Sequence, residues 1–397
     1  MPQYTINSKH ASIIALDTHA RTTTIKGVAL ETGEEKAKRF NSCPTSAEIA
    51  SWIQVNFPAP QYVAYESGCT GFYLCRELRE LGIECDVIAV SSIPKSTDDV
   101  QRKNDKRDAK GLLQALLTPN NSLSAVWMPD EECEGVRDIL RAYRDAQGAL
   151  KRVKQQLIAL LLRHGWVWNE KTPSGTRRVA WGLAYMKWLD GITLESIGAN
   201  EALLTYRAMV SEGADRIGRL KKRIDYYANE KRWKPYVDAF CLIKGISVYS
   251  AMVYATEIGD FFRFKNGRGV SKWAGVIPKS HASGETKEAN GKITKAGNVQ
   301  VRNALVEGIQ SALRRSPAMG KIKADCPVSE RVIAECNKCN HRLHERYHHL
   351  LKDLKKKPNV AKVAVANEMI RWVWAIGCLV QQEQGALVFN ESLPMAS

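Results

Sequence analysis

Short apolar segments that alternate with helical patterns occupy the chain between Ser12 and Pro119, and this alternation limits the fold classes open to it. Five segments have the composition of strands: Ser12–Leu16, Thr22–Leu30, Lys36–Phe40, Tyr62–Tyr65 and Val87–Val90. Helices should begin near Thr45, which forms a capping box with Glu48, and near Phe72. The pattern predicts a layered α/β domain. Because hairpin-length turns join the first three strands, that part of the sheet should be antiparallel.

Four acidic residues stand where these elements begin or end. Asp17 follows the first strand, Glu66 follows the fourth, and Asp105 and Asp108 open a helix that continues with Leu112 and Leu113. Helical residues three apart share a face, with Cβ atoms roughly 5–6 Å apart. A helix N-terminus favours negative charge, so a well-capped, solvated first turn also explains the acid pair. Two strand-end acids together with such a pair nevertheless form the arrangement that a divalent metal site on an α/β sheet requires.

Charge and composition point to a nucleic-acid partner and a cytoplasmic protein. The 397 residues should divide into two or three domains. A net charge of +16, from 58 Lys plus Arg against 42 acids, favours a polyanion. Met1–His10 is polar and the apolar run Trp372–Val380 is short, so neither a secretory signal nor a membrane span is expected. Ten irregularly spaced cysteines are typical of reduced thiols.

The middle of the chain has helical periodicity. Spacing from Val136 to Leu161 predicts a long helix with a partner, and the stretch 217–227 continues the pattern on a second helix. Between them, Gly165–Leu194 contains four tryptophans interleaved with Lys and Arg. Two interpretations stay open: a surface that stacks on nucleic-acid bases, or a tryptophan-anchored connector that packs on the long helices.

Three features of the last third carry hypotheses. Leu242–Ser247, between helical stretches, is typical of a helix–hairpin–helix turn whose N–H groups contact a DNA phosphate. Ser283 precedes a glycine in a loop, where backbone freedom exposes a hydroxyl, although most loop serines do no chemistry. Cys336, Cys339 and His344 are too closely spaced for the usual zinc arrangement, so no metal is expected there.

In this order, the residues resemble the DEDD transposases of bacterial insertion sequences, a family that includes the Piv-type DNA invertases and the bridge-RNA-guided recombinases. The resemblance covers nearly the whole chain. Asp17 in Ala15–Thr18, Glu66 in Tyr65–Gly68, and Asp105 with Asp108 match the four acids that name the family. Further matching segments lie downstream: the hairpin, Trp273–Pro278, Ser283-Gly284 and Lys295–Arg302. The hairpin departs from the pattern because proline is absent before Gly245 and Ser247 replaces a second glycine.

The resemblance implies an α/β plus α chain of three domains. Residues 1–125 would form a RuvC-like domain with an RNase H fold. Residues 126–234 would form a helical coiled-coil and dimerisation region, in which 164–195 is an insertion. Residues 235–397 would form a mainly helical transposase domain that carries the helix–hairpin–helix and the catalytic serine.

The resemblance also implies a mechanism. Asp17, Glu66, Asp105 and Asp108 would hold Mg²⁺, and Ser283 would be the nucleophile that forms a covalent phosphoserine link to DNA. A homodimer would assemble into a homotetramer, with a guide RNA that pairs with donor and target DNA. Two alternatives remain: a RuvC-like metal-dependent nuclease that uses water, and a non-catalytic nucleic-acid-binding protein whose acid pair only caps a helix.

Overall fold

A computed structural model describes residues 9–68, 70–94, 105–118, 123–281, 289–312, 316–319 and 322–384. The strands are β1 (Ser12–Thr18), β2 (Thr23–Ala29), β3 (Glu35–Phe40), β4 (Gln61–Glu66), β5 (Glu84–Ile88), β6 (Pro278–His281) and β7 (Ala289–Ile293). The helices of the N-terminal half are α1 (Ser46–Asn56), α2 (Tyr73–Glu80), α3 (Asp105–Leu117), α4 (Glu131–Arg163), α5 (Leu183–Asp190) and α6 (Ile197–Ala228). Those that follow are α7 (Lys234–Cys241), α8 (Val248–Ile258), α9 (Gly267–Trp273), α10 (Val299–Ala312), α11 (Glu330–Lys352) and α12 (Pro358–Glu383).

The first five strands form one mixed sheet in the order β3-β2-β1-β4-β5. β1, β2 and β3 are antiparallel neighbours, which confirms the prediction from their short turns, while β4 lies parallel to both β1 and β5. The capping box of Thr45 and Glu48 is present at the start of α1. β5 begins at Glu84, earlier than the apolar run Val87–Val90 suggested. Its early charged residues have partners: Glu84 pairs with His10, and Asp86 pairs with Arg79.

Helices cover both faces of this sheet. One face packs against α1 and α2 through residues such as Ile14, Leu16 and Tyr65. The other face, which includes Ala15 and Ala64, packs against α3. Because successive strand residues alternate between faces, the sequence period of two decides which strand residues meet α3.

The long helices α4 and α6 pack along each other, as the helical spacing predicted, and Leu150 of α4 contacts Gly213 of α6. The tryptophan-rich stretch forms a small core against them that includes Trp168, Tyr185 and Leu189. Trp168 also donates a hydrogen bond from Nε1 to the carbonyl oxygen of Arg178. These contacts favour the connector interpretation. Contact of α4 or α6 with a second copy of the chain stays a prediction.

The largest core joins the first turns of α4 to α7–α12. Its central helix, α12, is the one helix within the described ranges that is long and apolar enough to cross a membrane by length and composition. Its buried face, with Val365, Met369 and Val373, lies inside this core, which accounts for its apolar composition. The nine cysteines in the described ranges are free thiols.

Candidate functional site

Asp17 and Glu66 lie side by side at the carboxyl edge of the sheet. β1 and β4 are parallel, with Leu16 paired to Tyr65, so the next residue of each strand is an acid. Leu16 and Tyr65 face α1 and α2, whereas Ala15 and Ala64 face α3. Alternation therefore directs Asp17 and Glu66 to the α3 side of the sheet. The Asp17 side chain is 14% exposed, and its Oδ2 lies 3.3 Å from Nε2 of His19.

The remaining predicted site residues are described only in part. α3 begins at Asp105, as the sequence predicted, and packs against β1, β2 and β4 through Ala109, Leu112 and Leu116. The side chains of Asp105 and Asp108 and the whole of Ser283 lie outside the described residues. Within the described part, no group of three or more His, Cys, Asp or Glu side chains has a metal-binding arrangement. The structure therefore brings together two of the four predicted acids.

A cleft of about 460 Å³ opens directly after Glu66. Ser67 and Gly68 line one wall, and Arg137 and Arg141 of α4 line the opposite wall. The β4 end of this cleft is held by the Ser67 N–H, which donates to the carbonyl oxygen of Ile88 at 2.8 Å. Phe72 and Val87, which also line the cleft, belong to the side of the sheet that packs on α1 and α2. The cleft therefore opens on the face opposite the one toward which strand alternation directs Asp17 and Glu66.

A buried polar cluster continues from that wall to the loop that follows β7. Glu257 of α8 is 5% exposed, and its Oε1 accepts from Arg141 at 2.9 Å. Its Oε2 accepts from Asn298 Nδ2 at 2.8 Å and lies 3.7 Å from Arg137 Nε. Arg137 is 6% exposed and donates twice to the carbonyl oxygen of Thr256. Glu257 thus joins α4 to the loop that follows β7.

Sequence reasoning missed this cluster. A signal was present, because Glu257 is the single charged residue of the apolar helix α8. Arg137 likewise sits beside the core positions Cys133, Val136 and Leu140 of α4. Charged residues at core positions are rare unless they are paired, so such a pair marks a joint between helices.

Two glycine-containing turns pack against each other next to the open end of the β6–β7 hairpin, where Pro278 pairs with Ile293. Gly275 has φ +69°, and a Cβ there would lie 2.0 Å from the carbonyl oxygen of Ala296. Gly297 has φ +88°, and a Cβ there would lie 1.9 Å from the carbonyl oxygen of Trp273. Only glycine allows both the left-handed backbone and such close approach. The segments Trp273–Pro278 and Lys295–Arg302 therefore form one backbone joint. Between them the sequence reasoning did not anticipate β6 and β7, which are short and lack an apolar alternation.

The predicted helix–hairpin–helix turn lies between α7 and α8, with Gly245 at φ +89° and Ser247 as the N-cap of α8. Asn340 of α11 holds it: the Lys244 N–H donates to Asn340 Oδ1 at 2.8 Å, and Asn340 Nδ2 donates to the Leu242 carbonyl oxygen at 2.9 Å. The Lys244 N–H is thus engaged within the protein. Next to Asn340, Cys336 and Cys339 are buried in the core, and burial raises the pKa of the Cys336 thiol to about 12.

Comparison with known proteins identifies the family. A family model described as "Transposase IS116/IS110/IS902 family" matches residues 237–323, which span the hairpin turn and both glycine turns. A putative transposase, y4qE, of Sinorhizobium fredii is 34% identical over 319 residues, 79% of this chain and 75% of its own length. The chain belongs to the IS116/IS110/IS902 transposase family.

Two further relatives agree with this assignment. The transposase for insertion sequence element IS1533 of Leptospira borgpetersenii is 27% identical over 74% of this chain and 83% of its own length. A probable family 20 transposase of Pseudomonas aeruginosa is 25% identical over 80% of this chain and 84% of its own length. Membership of this family means that the chain is a transposase, an enzyme that processes DNA during transposition.

Proposed function

We propose that this transposase cleaves and rejoins DNA strands through a covalent phosphoserine intermediate, at a composite site of Asp17, Glu66, Asp105, Asp108 and Ser283. The observation that carries the proposal is the placement of Asp17 and Glu66 at adjacent parallel strand ends, on the face covered by the helix that begins at Asp105. The strand order, with three antiparallel strands followed by two parallel ones, supports a RuvC-like domain.

The two placed acids suit Mg²⁺, a hard cation that prefers carboxylate oxygens and retained waters. The Asp17 side chain is mostly buried and Glu66 is exposed, so together they would offer ligands at an edge that solvent reaches from the Glu66 side. Asp105 and Asp108 would complete the set from α3. When bound, Mg²⁺ would neutralise charge that develops on the scissile phosphate.

Ser283 would supply the nucleophile. Its Oγ would lose a proton and form a bond to phosphorus, while the bond from phosphorus to a sugar oxygen breaks and that oxygen takes up a proton. The phosphodiester energy is kept in the serine ester, so reversal by another strand's hydroxyl rejoins DNA without a cofactor. The Glu257 cluster supports a fixed position for the strands that flank Ser283 in the sequence, because it ties the loop that follows β7 to α4, whose Arg137 and Arg141 also line the cleft next to Ser67.

We also propose that the chain works as a homodimer that assembles into a tetramer, and that a guide RNA selects donor and target DNA. Both parts rest on the family resemblance. The net charge of +16 supports contact with RNA and DNA backbones, which protein side chains recognise by shape and charge when base pairing reads the sequence.

The test is trapping of the intermediate on a suicide DNA substrate. Wild type should give a protein–DNA adduct that survives denaturation, whereas a complex held by phosphate contacts dissociates in strong salt. Ser283→Ala should bind RNA and DNA as wild type does but give no adduct. Asp17→Asn should also lose cleavage and keep RNA binding, because a metal ligand is lost and the basic surface is not. Ser280→Ala, three residues away, is the matched control and should form the adduct.

A water-dependent nuclease of the RuvC type makes the opposite forecast. Ser283→Ala would then cut DNA at the wild-type rate, and neither protein would form an adduct. That result would remove the serine mechanism and leave the acid site in place.

A further inference from the structure

A large groove lies between the β6–β7 hairpin and the helices α11 and α12. Its volume is about 1240 Å³, larger than the roughly 300–1,000 Å³ of ordinary small-molecule pockets. Pro278 and Ile293, at the open ends of β6 and β7, form part of one wall. The groove therefore begins at the two strands between which Ser283 lies in the sequence.

The described lining of this groove is strongly basic. It contains five cationic side chains: Lys292, Lys295, Arg342, Arg346 and Arg371. Among the described lining residues the one carboxylate is Glu368, which lies 2.7 Å from Arg342 Nε and 3.8 Å from Arg346 Nε. Glu368 holds these two guanidinium groups in place, and the described lining keeps a net charge of +4. A polyanion complements that charge.

Apolar side chains and an aromatic ring also line the groove. Val276, Val363 and Trp372 are among them, and Trp372 also packs on the C-terminal core, which fixes the ring. Aromatic side chains among cations suit single-stranded nucleic acid, because bases stack on the ring while phosphates contact the cations. In a duplex the bases are stacked inside the helix and do not reach such a ring.

We propose that this groove holds an unpaired segment of the DNA strand that is attached to, or attacked by, Ser283. Trp372 and its apolar neighbours receive bases, and Lys292, Lys295, Arg342 and Arg346 contact the backbone. DNA, rather than RNA, is assigned because Pro278, Lys292 and Ile293 of the groove belong to the two strands between which Ser283 lies in the sequence. This assignment rests on the proposed serine mechanism.

Affinity for a single-stranded DNA oligonucleotide tests the groove in the full-length protein, measured by fluorescence anisotropy across a salt series. A plot of log K against log salt has a negative slope, and each phosphate contact on a single strand contributes about 0.7 to its magnitude. The double variant Arg342→Gln/Arg346→Gln should therefore make the slope shallower by about 1.4. The same slope gives roughly tenfold weaker binding near physiological salt. Lys338→Gln/Lys352→Gln removes the same charge from the same helix outside the groove and should change neither value. Equal weakening in both double variants would overturn the proposal.

The position of the bound DNA on the protein is tested by photocrosslinking of single-stranded DNA that carries 5-iodouracil. Crosslinks should map to the peptide that contains Trp372, and the Arg342→Gln/Arg346→Gln variant should lose them. Crosslinks that map only elsewhere would overturn the groove. An RNA oligonucleotide of the same sequence distinguishes RNA from DNA as the ligand. If the Arg342→Gln/Arg346→Gln variant bound only the RNA more weakly than wild type does, the assignment to DNA would be wrong.

Failure of the groove and failure of the serine mechanism give different results. Ser283→Ala should bind and crosslink single-stranded DNA as wild type does. If wild type forms no adduct but the crosslink to the groove persists, the nucleophile is wrong and the groove stands. If the adduct forms while both double variants bind equally, the serine stands and the groove is wrong.

Discussion

Replacement of Gly297 by alanine should destabilise the joint beneath the β6–β7 hairpin. The added Cβ would lie 1.9 Å from the carbonyl oxygen of Trp273, an acceptor that also receives the Asn298 N–H at 3.0 Å. A left-handed backbone costs alanine about 1–2 kcal/mol, and the displacement of packed backbone costs about 1–3 kcal/mol. The free energy of unfolding should therefore fall by about 2–5 kcal/mol.

Urea unfolding followed by circular dichroism measures this loss, as a lower midpoint at an unchanged slope. Gly218→Ala is the matched control. Gly218 is exposed in the interior of α6, and a Cβ there meets nothing within 4 Å, so alanine should stabilise the protein by about 0.5–1 kcal/mol. Gly275→Ala should resemble Gly297→Ala, because its Cβ would lie 2.0 Å from the carbonyl oxygen of Ala296.

The double variant tests whether the two glycines serve one joint. Neighbouring sites couple, so Gly275→Ala with Gly297→Ala should cost less than the two single losses added together. A Gly297→Ala midpoint equal to that of wild type would refute the steric reasoning, and strictly additive losses would refute the single joint.

Three further predictions concern charges and thiols. Arg137→Met should lower the free energy of unfolding by about 3–5 kcal/mol because it breaks a buried ion pair, whereas Arg141→Gln, at a side chain 40% exposed, should cost at most about 1 kcal/mol in the same urea titration. Partial burial opposes ionisation of Asp130, but Arg232 and the Cys133 N–H lower its pKa below the usual value. The helix cap therefore stabilises the protein at neutral pH and is lost as the pH falls through that lowered pKa, and Asp130→Asn should flatten the acid limb of a stability–pH curve. Wild type and Cys336→Ala, both purified without chelators, should have the same zinc content in a metal analysis. One zinc per chain in wild type that is absent from the variant would contradict the prediction.

The sequence predicted the N-terminal sheet well because its signals are local. The short apolar runs of β1 and β4, the capping box of α1 and the short turns between the first strands each depend on a few adjacent residues. The prediction placed β5 too late in the chain because Glu84 and Asp86 interrupt its apolar pattern. Glu84 pairs with His10, which is distant in sequence, and Asp86 pairs with Arg79 of α2. The β6–β7 hairpin was missed because backbone contacts between Gly275 and Gly297 support it, and side-chain patterns do not report these.

In the candidate site, too, the sequence predicted the features that depend on adjacent residues and missed those that depend on contacts between distant segments. Strand-end acids are local, so the sequence marked Asp17 and Glu66 as strand ends, whereas the parallel register that sets them side by side joins two strands distant in the chain. The Glu257 cluster depends on α4, α8 and the loop after β7 meeting in space, and no spacing of residues predicts that. The cluster matters for the proposed site because it links α4 to the loop that follows β7, the strand that comes after Ser283 in the sequence. Because Glu257 is buried, its carboxylate depends on its partners, above all on the buried Arg137, since an unpaired charge in that core is costly. A shift of α4 would therefore disturb the loop that follows β7, since Glu257 contacts both.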